Sequence, residues 1–385
     1  VTSQKSKILD HPLLKERRAR VQGVLGRFKE RGLDPETFCI MPFVNIILEP
    51  NGSVGLCRHL GTEFSMGNFQ DQSLAEIWNG EKTKRWRREF LEGKPIVCKE
   101  HLRHRKCQLC PELNRMMDAA PLQEIIDGPP LRLTPNLNGR CNLRCQMCDV
   151  WQLPNGFYTE ENFWIPAREL FFPHVKEIDM LSGEPFLQAD TFRLIQEIAP
   201  INPDCEWSIT TNAHWKLTDK VISHLDMIKV KNLIISVDSL VPEVYAKIRT
   251  PGRLDTVLAT INDLLEYQKA RLVKGQTGLG INVNFLIQKD NWNEIKNMVD
   301  YCLAIGVNPF IHFCYIPTEH SLLSLTEKER MGILDWYLAN LNWEYLTMAK
   351  LVTSPLIGSL SPIDQAHYLN EFGKIKSDFE SEKAS

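Results

Sequence analysis

No stretch of this chain approaches the roughly 18 consecutive apolar residues that a membrane-spanning helix needs. Val1-Thr-Ser-Gln-Lys-Ser-Lys leads into a charged segment with no apolar signal region, so the expectation is a cytoplasmic protein. A charge excess of one sign is missing too. The 45 Lys and Arg against 48 Asp and Glu leave a net charge of −3, which is not the signature of a nucleic-acid binder. In a reducing compartment the 11 Cys have little prospect of forming disulfides, and where they cluster they point to metal. The remaining composition, 43% hydrophobic and 24% charged, is that of an ordinary globular protein. A length of 385 residues suits two domains, or one large domain with an appendage.

What the chain does have is a tight run of thiols. Cys141-Asn-Leu-Arg-Cys145-Gln-Met-Cys148 places three cysteines at spacings of four and three. Thiolates are the ligands of iron–sulfur clusters, and a cubane cluster normally takes four. Three leave one iron without a protein ligand. A metal with an open position can bind and activate a small molecule, whereas a closed four-thiolate site is structural or relays electrons. Just upstream, Leu131-Arg-Leu-Thr-Pro-Asn-Leu137 alternates in polarity and reads as a strand, so the triplet falls in the loop after it. A zinc knuckle is the competing reading of the triplet.

Downstream, strand-like and helix-like runs alternate. The strand candidates are 177–181, 206–211, 232–237, 280–287 and 308–313. The helix candidates between them are 190–198, 218–225, 254–272 and 292–305. Alternation of this kind implies a parallel sheet with right-handed crossovers, and with the strand near Leu131 it makes about six βα units. Polar residues collect where the strands end: Ser182-Gly183-Glu184-Pro185, Thr210-Thr211-Asn212, and Ser236-Val-Asp238 followed by Arg249. On a period of two, Asn282 and Asn284 share one face and His312 and Cys314 another. Gln288 and Tyr315 follow these strands. The region from about 325 to the end reads as helical and carries no motif.

Upstream, residues from about 12 to 32 have helical apolar spacing. Phe43 to Leu48 reads as a strand, Glu49-Pro-Asn-Gly-Ser53 as a turn, and Val54 to Cys57 as the returning strand. Ser73 and Glu76 make a capping-box pattern, so a helix is expected to start there and run toward Leu91. Cys98, Cys107 and Cys110 follow. Folding the hairpin back and returning after the helix brings Cys39, Cys57, Cys107 and Cys110 together as a second thiol constellation. The repulsion of four thiolates favours a metal centre there. The stretch Lys82 to Lys106 is dense in Lys and Arg and reads as a solvated helix face beside an anionic cluster.

The C-x3-C-x2-C loop after a first strand resembles the signature of the radical S-adenosylmethionine (SAM) enzymes. The resemblance implies an α/β fold with a partial (β/α)6 TIM-like barrel whose chemistry lies at the C-terminal ends of the strands. It implies a [4Fe–4S] cluster on Cys141, Cys145 and Cys148 whose open iron takes SAM. An electron from that cluster then cleaves SAM to a 5′-deoxyadenosyl radical. The SAM-binding candidates it gives are Ser182, Gly183, Glu184 and Pro185, where the family has Gly-Gly-Glu-Pro, together with Thr211, Asn212, Ser236, Asp238 and Arg249. The family prefers an aromatic before the third Cys to contact the adenine; this chain has Met147. The upstream cysteines, with Gly52 five residues before Cys57 and the Gly67 to Asn79 run, resemble the twitch and SPASM auxiliary-cluster modules. That implies a second [4Fe–4S] cluster on Cys39, Cys57, Cys107 and Cys110. In the relatives this module follows the barrel, whereas here it precedes it. The expected divisions are 1–35 for the N-terminal helix, 36–120 for the cluster module, 128–320 for the barrel and 321–385 for C-terminal helices.

Three readings compete. The first is a radical SAM enzyme whose auxiliary cluster accepts an electron in a net oxidation. It would act on an unknown substrate, with a lean toward peptide or protein side chains, and take electrons from a donor such as flavodoxin or ferredoxin. The second is a radical SAM epimerase or dehydrogenase acting on a sugar-like molecule, with Cys314 as hydrogen donor. The third is a zinc-stabilised binding protein without redox chemistry.

Overall fold

The computed structural model describes residues 8–57, 64–98, 113–159 and 161–384. Its strands are β1 (Asn45–Leu48), β2 (Ser53–Gly55), β3 (Gly67–Asn68), β4 (Arg132–Pro135), β5 (Arg144–Cys145), β6 (Glu177–Met180), β7 (Glu206–Thr211), β8 (Lys229–Ser236), β9 (Arg249–Thr250), β10 (Ile281–Ile287) and β11 (Asn308–Phe313). One sheet runs β11-β10-β8-β7-β6-β4-β1-β2-β3, and β5 pairs with β9 in a small second sheet. From β4 to β11 every neighbour in the large sheet is parallel, the partial parallel barrel that strand–helix alternation implies.

Side-chain alternation decides which face is apolar. Trp207, Ile209, Leu233, Ile235, Val283, Phe285 and Ile287 are all buried and pack with the helices in one apolar core. Each such side chain contributes about 1.5–3 kcal/mol by its burial. On the other face, polar residues at the starts of the strands bond to one another: Asn232 Nδ2 donates to Ser208 Oγ at 3.1 Å, and Ser208 Oγ to Glu177 Oε1 at 3.4 Å. Arg132 adds ion pairs to Glu177 and Asp179. Helices Ala189–Ile198, Asp219–Asp226, Leu254–Val273 and Ile295–Ala304 lie close to the expected ranges. Helix Glu161–Leu170, with Pro166 inside it, has no counterpart among the expected elements. The C-terminal region forms helices Glu327–Asn340, Trp343–Met348, Lys350–Gly358 and Pro362–Ala384.

The N-terminal hairpin is not a separate sheet. β1 pairs antiparallel with β2, Leu48 opposite Val54, and parallel with β4, Asn45 opposite Arg132. The C-terminal end of β1 therefore lies beside the start of the triplet loop. Tyr158 Oη donates to Glu49 O at 2.9 Å, and Asn136 Nδ2 to Glu49 Oε2 at 2.8 Å. At the tip, Gly52 has φ +80°, and a Cβ there would meet the Phe157 ring at 2.6 Å, so only glycine fits.

Two expectations differ in detail. Phe43 and Val44 belong to a helical turn, Met41–Val44, with Pro42 in its first turn. Proline fixes φ near the helical value, and Phe43 stacks on Phe38 at 5.6 Å. The capping box of Ser73 and Glu76 forms, but its helix ends at Trp78. A second helix, Glu81–Leu91, starts after Gly80.

Candidate metal and cofactor site

The triplet loop leaves β4 and crosses the C-terminal ends of the strands. Cys145 lies on β5, opposite Arg249 of β9. The Cys148 N–H donates to Cys145 O at 3.1 Å, closing a turn that turns the last two cysteines back on each other. Cys141 and Cys145 are half-buried and Cys148 is exposed.

Two of the three sulfurs face a side-chain donor, and a buried carboxylate bonds the backbone of the first donor's residue and the guanidinium of the second. Asn212 Nδ2 stands 3.6 Å from Cys141 Sγ, and Leu143 N donates to the same sulfur at 3.4 Å. Behind Asn212 is Glu184, fully buried. Its Oε2 accepts from Asn212 N at 2.7 Å, and its Oε1 from Thr211 Oγ1 at 2.7 Å and Phe186 N at 3.3 Å. Burial lifts the Glu184 carboxyl to a pKa of about 7 against these hydrogen bonds. Arg249 Nη1 stands 3.7 Å from Cys145 Sγ. Asp238, also fully buried, grips the same guanidinium at 2.8 Å through Nε and 2.6 Å through Nη2, and takes Leu286 N at 2.9 Å. Both nitrogens converge on Asp238 Oδ2 while Oδ1 takes Leu286 N, and a buried, charge-assisted pair of this kind is strong. Burial raises the pKa of both thiols; Leu143 opposes this at Cys141 and Arg249 at Cys145.

The Ser182–Pro185 turn packs directly on the loop. Ser182 Oγ lies 2.8 Å from both Asn138 O and Gln188 Oε1. Gly183 is so close to the backbone that a Cβ would fall 2.2 Å from Arg140 O. Pro185 opens the turn Pro185–Leu187. Thr211 Oγ1 bonds Glu184 and also receives Ala213 N and the Trp215 indole. Ser236 ends β8 opposite Asn284 of β10. Met147 is half-buried in the triplet loop. Sequence reasoning missed Gln146, whose Nε2 reaches Gln288 Oε1 at 2.8 Å and Asp290 Oδ2 at 3.0 Å, tying the loop to the end of β10. Its place between two cysteines was the available signal.

Cys314 is not brought to an open face. It is 1% exposed, its Sγ lies 3.5 Å from Ile316 O, and burial pushes its pKa up to about 11. In the N-terminal module, Cys39 and Cys98 are buried and Cys57 is half-buried. Cys107 and Cys110 lie outside the described residues. Among the described residues, no three His, Cys, Asp or Glu side chains are grouped at one ion position. Three thiols on one loop, two of them backed by anchored donors, fit a cluster with three protein ligands.

Comparison with known proteins agrees with this donor set. Residues 136–302 match the radical SAM superfamily model, and residues 39–111 match the iron–sulfur cluster-binding SPASM model. The chain has a radical SAM core with a SPASM-type cluster-binding domain on its N-terminal side. Curated relatives include a GTP 3′,8-cyclase of a Sulfurovum species, 32% identical over 202 residues that cover 50% of this chain and 57% of that one. A probable GTP 3′,8-cyclase of Methanocaldococcus jannaschii is 27% identical over 44% of this chain and 54% of its own. The chain thus spans little more than half the length of these relatives. Among solved structures, SuiB of Streptococcus suis bound to SAM aligns over 76% of this chain and 66% of its own, with 14% identity and a TM-score of 0.39. That likeness is too low to bear on activity. No helix among the described residues is long and apolar enough to cross a membrane.

Proposed function

We propose that this protein is a radical SAM enzyme that carries out a net oxidation with two [4Fe–4S] clusters, one on Cys141, Cys145 and Cys148 and one on Cys39, Cys57, Cys107 and Cys110. The observation that carries this reading is the pair of carboxylate-anchored donors, Asn212 on Cys141 and Arg249 on Cys145. When bound, the first cluster supplies the electron that cleaves SAM to a 5′-deoxyadenosyl radical, and the second accepts an electron from the substrate. Residues 36–120 form the auxiliary module on this reading and 128–320 the barrel.

The chain's own residues orient and enclose. Asn212 and Arg249 stabilise negative charge on their sulfurs by hydrogen bonding, which keeps the thiolate form competent as a ligand. Asp238 fixes the Arg249 side chain and Glu184 holds the Asn212 backbone, so the donors are preorganised. Gly183 lets the turn reach the loop backbone, and Gln146 with Gln288 and Asp290 holds the far side. Ser236 and Met147 are the SAM contacts we assign beyond this shell, with the Ser182–Pro185 turn taking the amino end. The electron donor is a low-potential one-electron protein of the flavodoxin or ferredoxin class, and the location is cytoplasmic. The substrate class we propose is a peptide or protein side chain, which the resemblance to SPASM enzymes supports.

The test is anaerobic reconstitution followed by reduction with SAM present. The expected outcome is 5′-deoxyadenosine from the wild type and none from Cys141→Ala. A colourless zinc protein that never cleaves SAM would contradict the reading. Running the assay with GTP and with peptide pools separates the substrate classes, since the true substrate raises 5′-deoxyadenosine above the substrate-free level. Deuterium entering a recovered product at unchanged oxidation level would favour an epimerase instead.

A further inference from the structure

The β5–β9 ribbon has two faces. Its pairs, Arg144 opposite Thr250 and Cys145 opposite Arg249, alternate across it. Cys145 and Arg249 form the inner face, where the guanidinium meets the sulfur. Arg144 and Thr250 form the outer face, and both are exposed. The outer face is therefore separated from a cluster ligand by a single peptide chain. Trp151, in the turn Val150–Gln152, is 36% exposed and belongs to the same surface. The Arg144 guanidinium carbon lies 5.4 Å from the centroid of its ring, within the range of a cation–π contact. Its indole N–H donates to Cys148 O at 2.8 Å, so the ring is fastened to the backbone of a second ligand. Arg140, also exposed, immediately precedes Cys141.

The charges around this face are unevenly answered. Lys247 pairs with Asp290 and Arg253 with Asp255. Arg140 and Arg144 have no carboxylate partner among the described residues, and Asp149 is the one acidic side chain on the loop itself. Holding a cluster asks nothing of the solvent side of its loop, yet that side carries an indole and two unpaired guanidinium groups. Trp and Arg are the residue types that dominate the binding energy of protein interfaces. The reaction proposed above also needs one electron from outside for each SAM cleaved. We propose that the outer face of the β5–β9 ribbon, with Arg140, Arg144 and Trp151, is the docking surface of the electron donor, an acidic protein that carries a low-potential one-electron group. The inference rests on the radical SAM reading above. Unpaired cations at the docking point raise the encounter rate with an acidic partner. One electron leaves the reduced carrier, which is left oxidised by one electron, and enters the cluster of Cys141, Cys145 and Cys148. It is consumed in breaking a carbon–sulfur bond of SAM.

The experiment compares two reductants on the full chain, reconstituted anaerobically: dithionite, which needs no docking surface, and reduced flavodoxin, an acidic carrier. The variants are Arg140→Glu/Arg144→Glu, Arg144→Lys and, as a remote charge reversal, Lys328→Glu on helix Glu327–Asn340. At equal iron content, the double variant is expected to form 5′-deoxyadenosine about tenfold more slowly or worse with flavodoxin at low salt, and at the wild-type rate with dithionite. Arg144→Lys and Lys328→Glu should stay near wild type with both reductants. The inference is overturned if the double variant keeps its flavodoxin-driven rate, if both rates fall together, or if Lys328→Glu loses as much. It is also overturned if the double variant changes only the sedimentation of the free enzyme, which would make the face a contact between copies. If the double variant takes up no iron, the wild type decides: its flavodoxin-driven rate should fall more steeply with added salt than its dithionite-driven rate, and equal slopes would overturn the inference. Failure of the radical SAM reading shows itself separately, as no 5′-deoxyadenosine from the wild type with either reductant.

Discussion

Cys141 follows the C-terminal end of β4 and Cys39 precedes β1, whose start lies beside the start of β4, and the surroundings of these two thiols are built on different principles. Cys141 and Cys145 are met by Asn212 and Arg249; buried Glu184 holds the Asn212 backbone and buried Asp238 the Arg249 guanidinium, and each carboxylate takes further hydrogen bonds. Cys39 and Cys98 instead lie in the apolar core with Phe38, Phe43, Trp86 and Phe90. The first site carries its electrostatics in the polypeptide. The second surrounds its described thiols with apolar side chains. A SAM-binding cluster has an open iron and must keep its geometry while ligands come and go, which suits a preorganised polar shell. An electron acceptor is closed by its own thiolates and needs only the right charge environment.

That contrast can be broken by substitution. The largest effect is expected from Arg249→Ala, which strands Asp238 as a buried carboxylate without its partner. A loss of about 3–5 kcal/mol is the usual scale, measured by denaturant unfolding of the iron-free protein. A loss no greater than that of a surface substitution would mean the barrel shell is not preorganised. Next comes the pH dependence of Glu184. Its folded pKa, about 7, lies above the ordinary carboxylate value. The folded state therefore holds the proton more tightly than the unfolded state, and stability falls as pH rises from about 4.5 to about 7, by up to roughly 3 kcal/mol. Iron-free Glu184→Gln should lack that slope in thermal unfolding across the same window; an unchanged slope would assign the titration to another group. Gly183→Ala drives a methyl against Arg140 O and should cost about 1–3 kcal/mol, with weakened retention of the SAM cluster and unchanged iron in the auxiliary module. The smallest effect is in that module: Ser73→Ala removes a capping box and should cost about 1 kcal/mol, with both clusters retained by iron analysis.

Much of the barrel is legible in the sequence because its strands alternate so regularly. Leu233 and Ile235 against Asn232 and Ser236, or Val283 and Phe285 against Asn282 and Asn284, give both the strand and its two faces. The first turn of the module is not legible in the same way. Phe43 and Val44 have strand propensity, and the helical turn prevails because Pro42 presets the backbone and Phe38 stacks on Phe43. The parallel pairing of β1 with β4 could not be read either, since it joins strands 87 positions apart by register and no local pattern encodes it. At the site, the residue types at the strand ends are visible in sequence, but their partners are not. Thr211 and Asp238 read as ligand-binding groups, and the structure shows both engaged in holding Glu184 and Arg249. Gln146 was overlooked because its partners, Gln288 and Asp290, lie more than 140 residues away.

The division of labour between the two thiol sites is tested most directly by Cys39→Ala beside Cys141→Ala, with iron and 5′-deoxyadenosine measured on both after anaerobic reconstitution. Each variant should retain about four of the roughly eight iron of the wild type. Cys39→Ala should still cleave SAM and Cys141→Ala should not. Loss of SAM cleavage in a folded Cys39→Ala that keeps its four iron, or cleavage surviving in Cys141→Ala, would contradict the assignment.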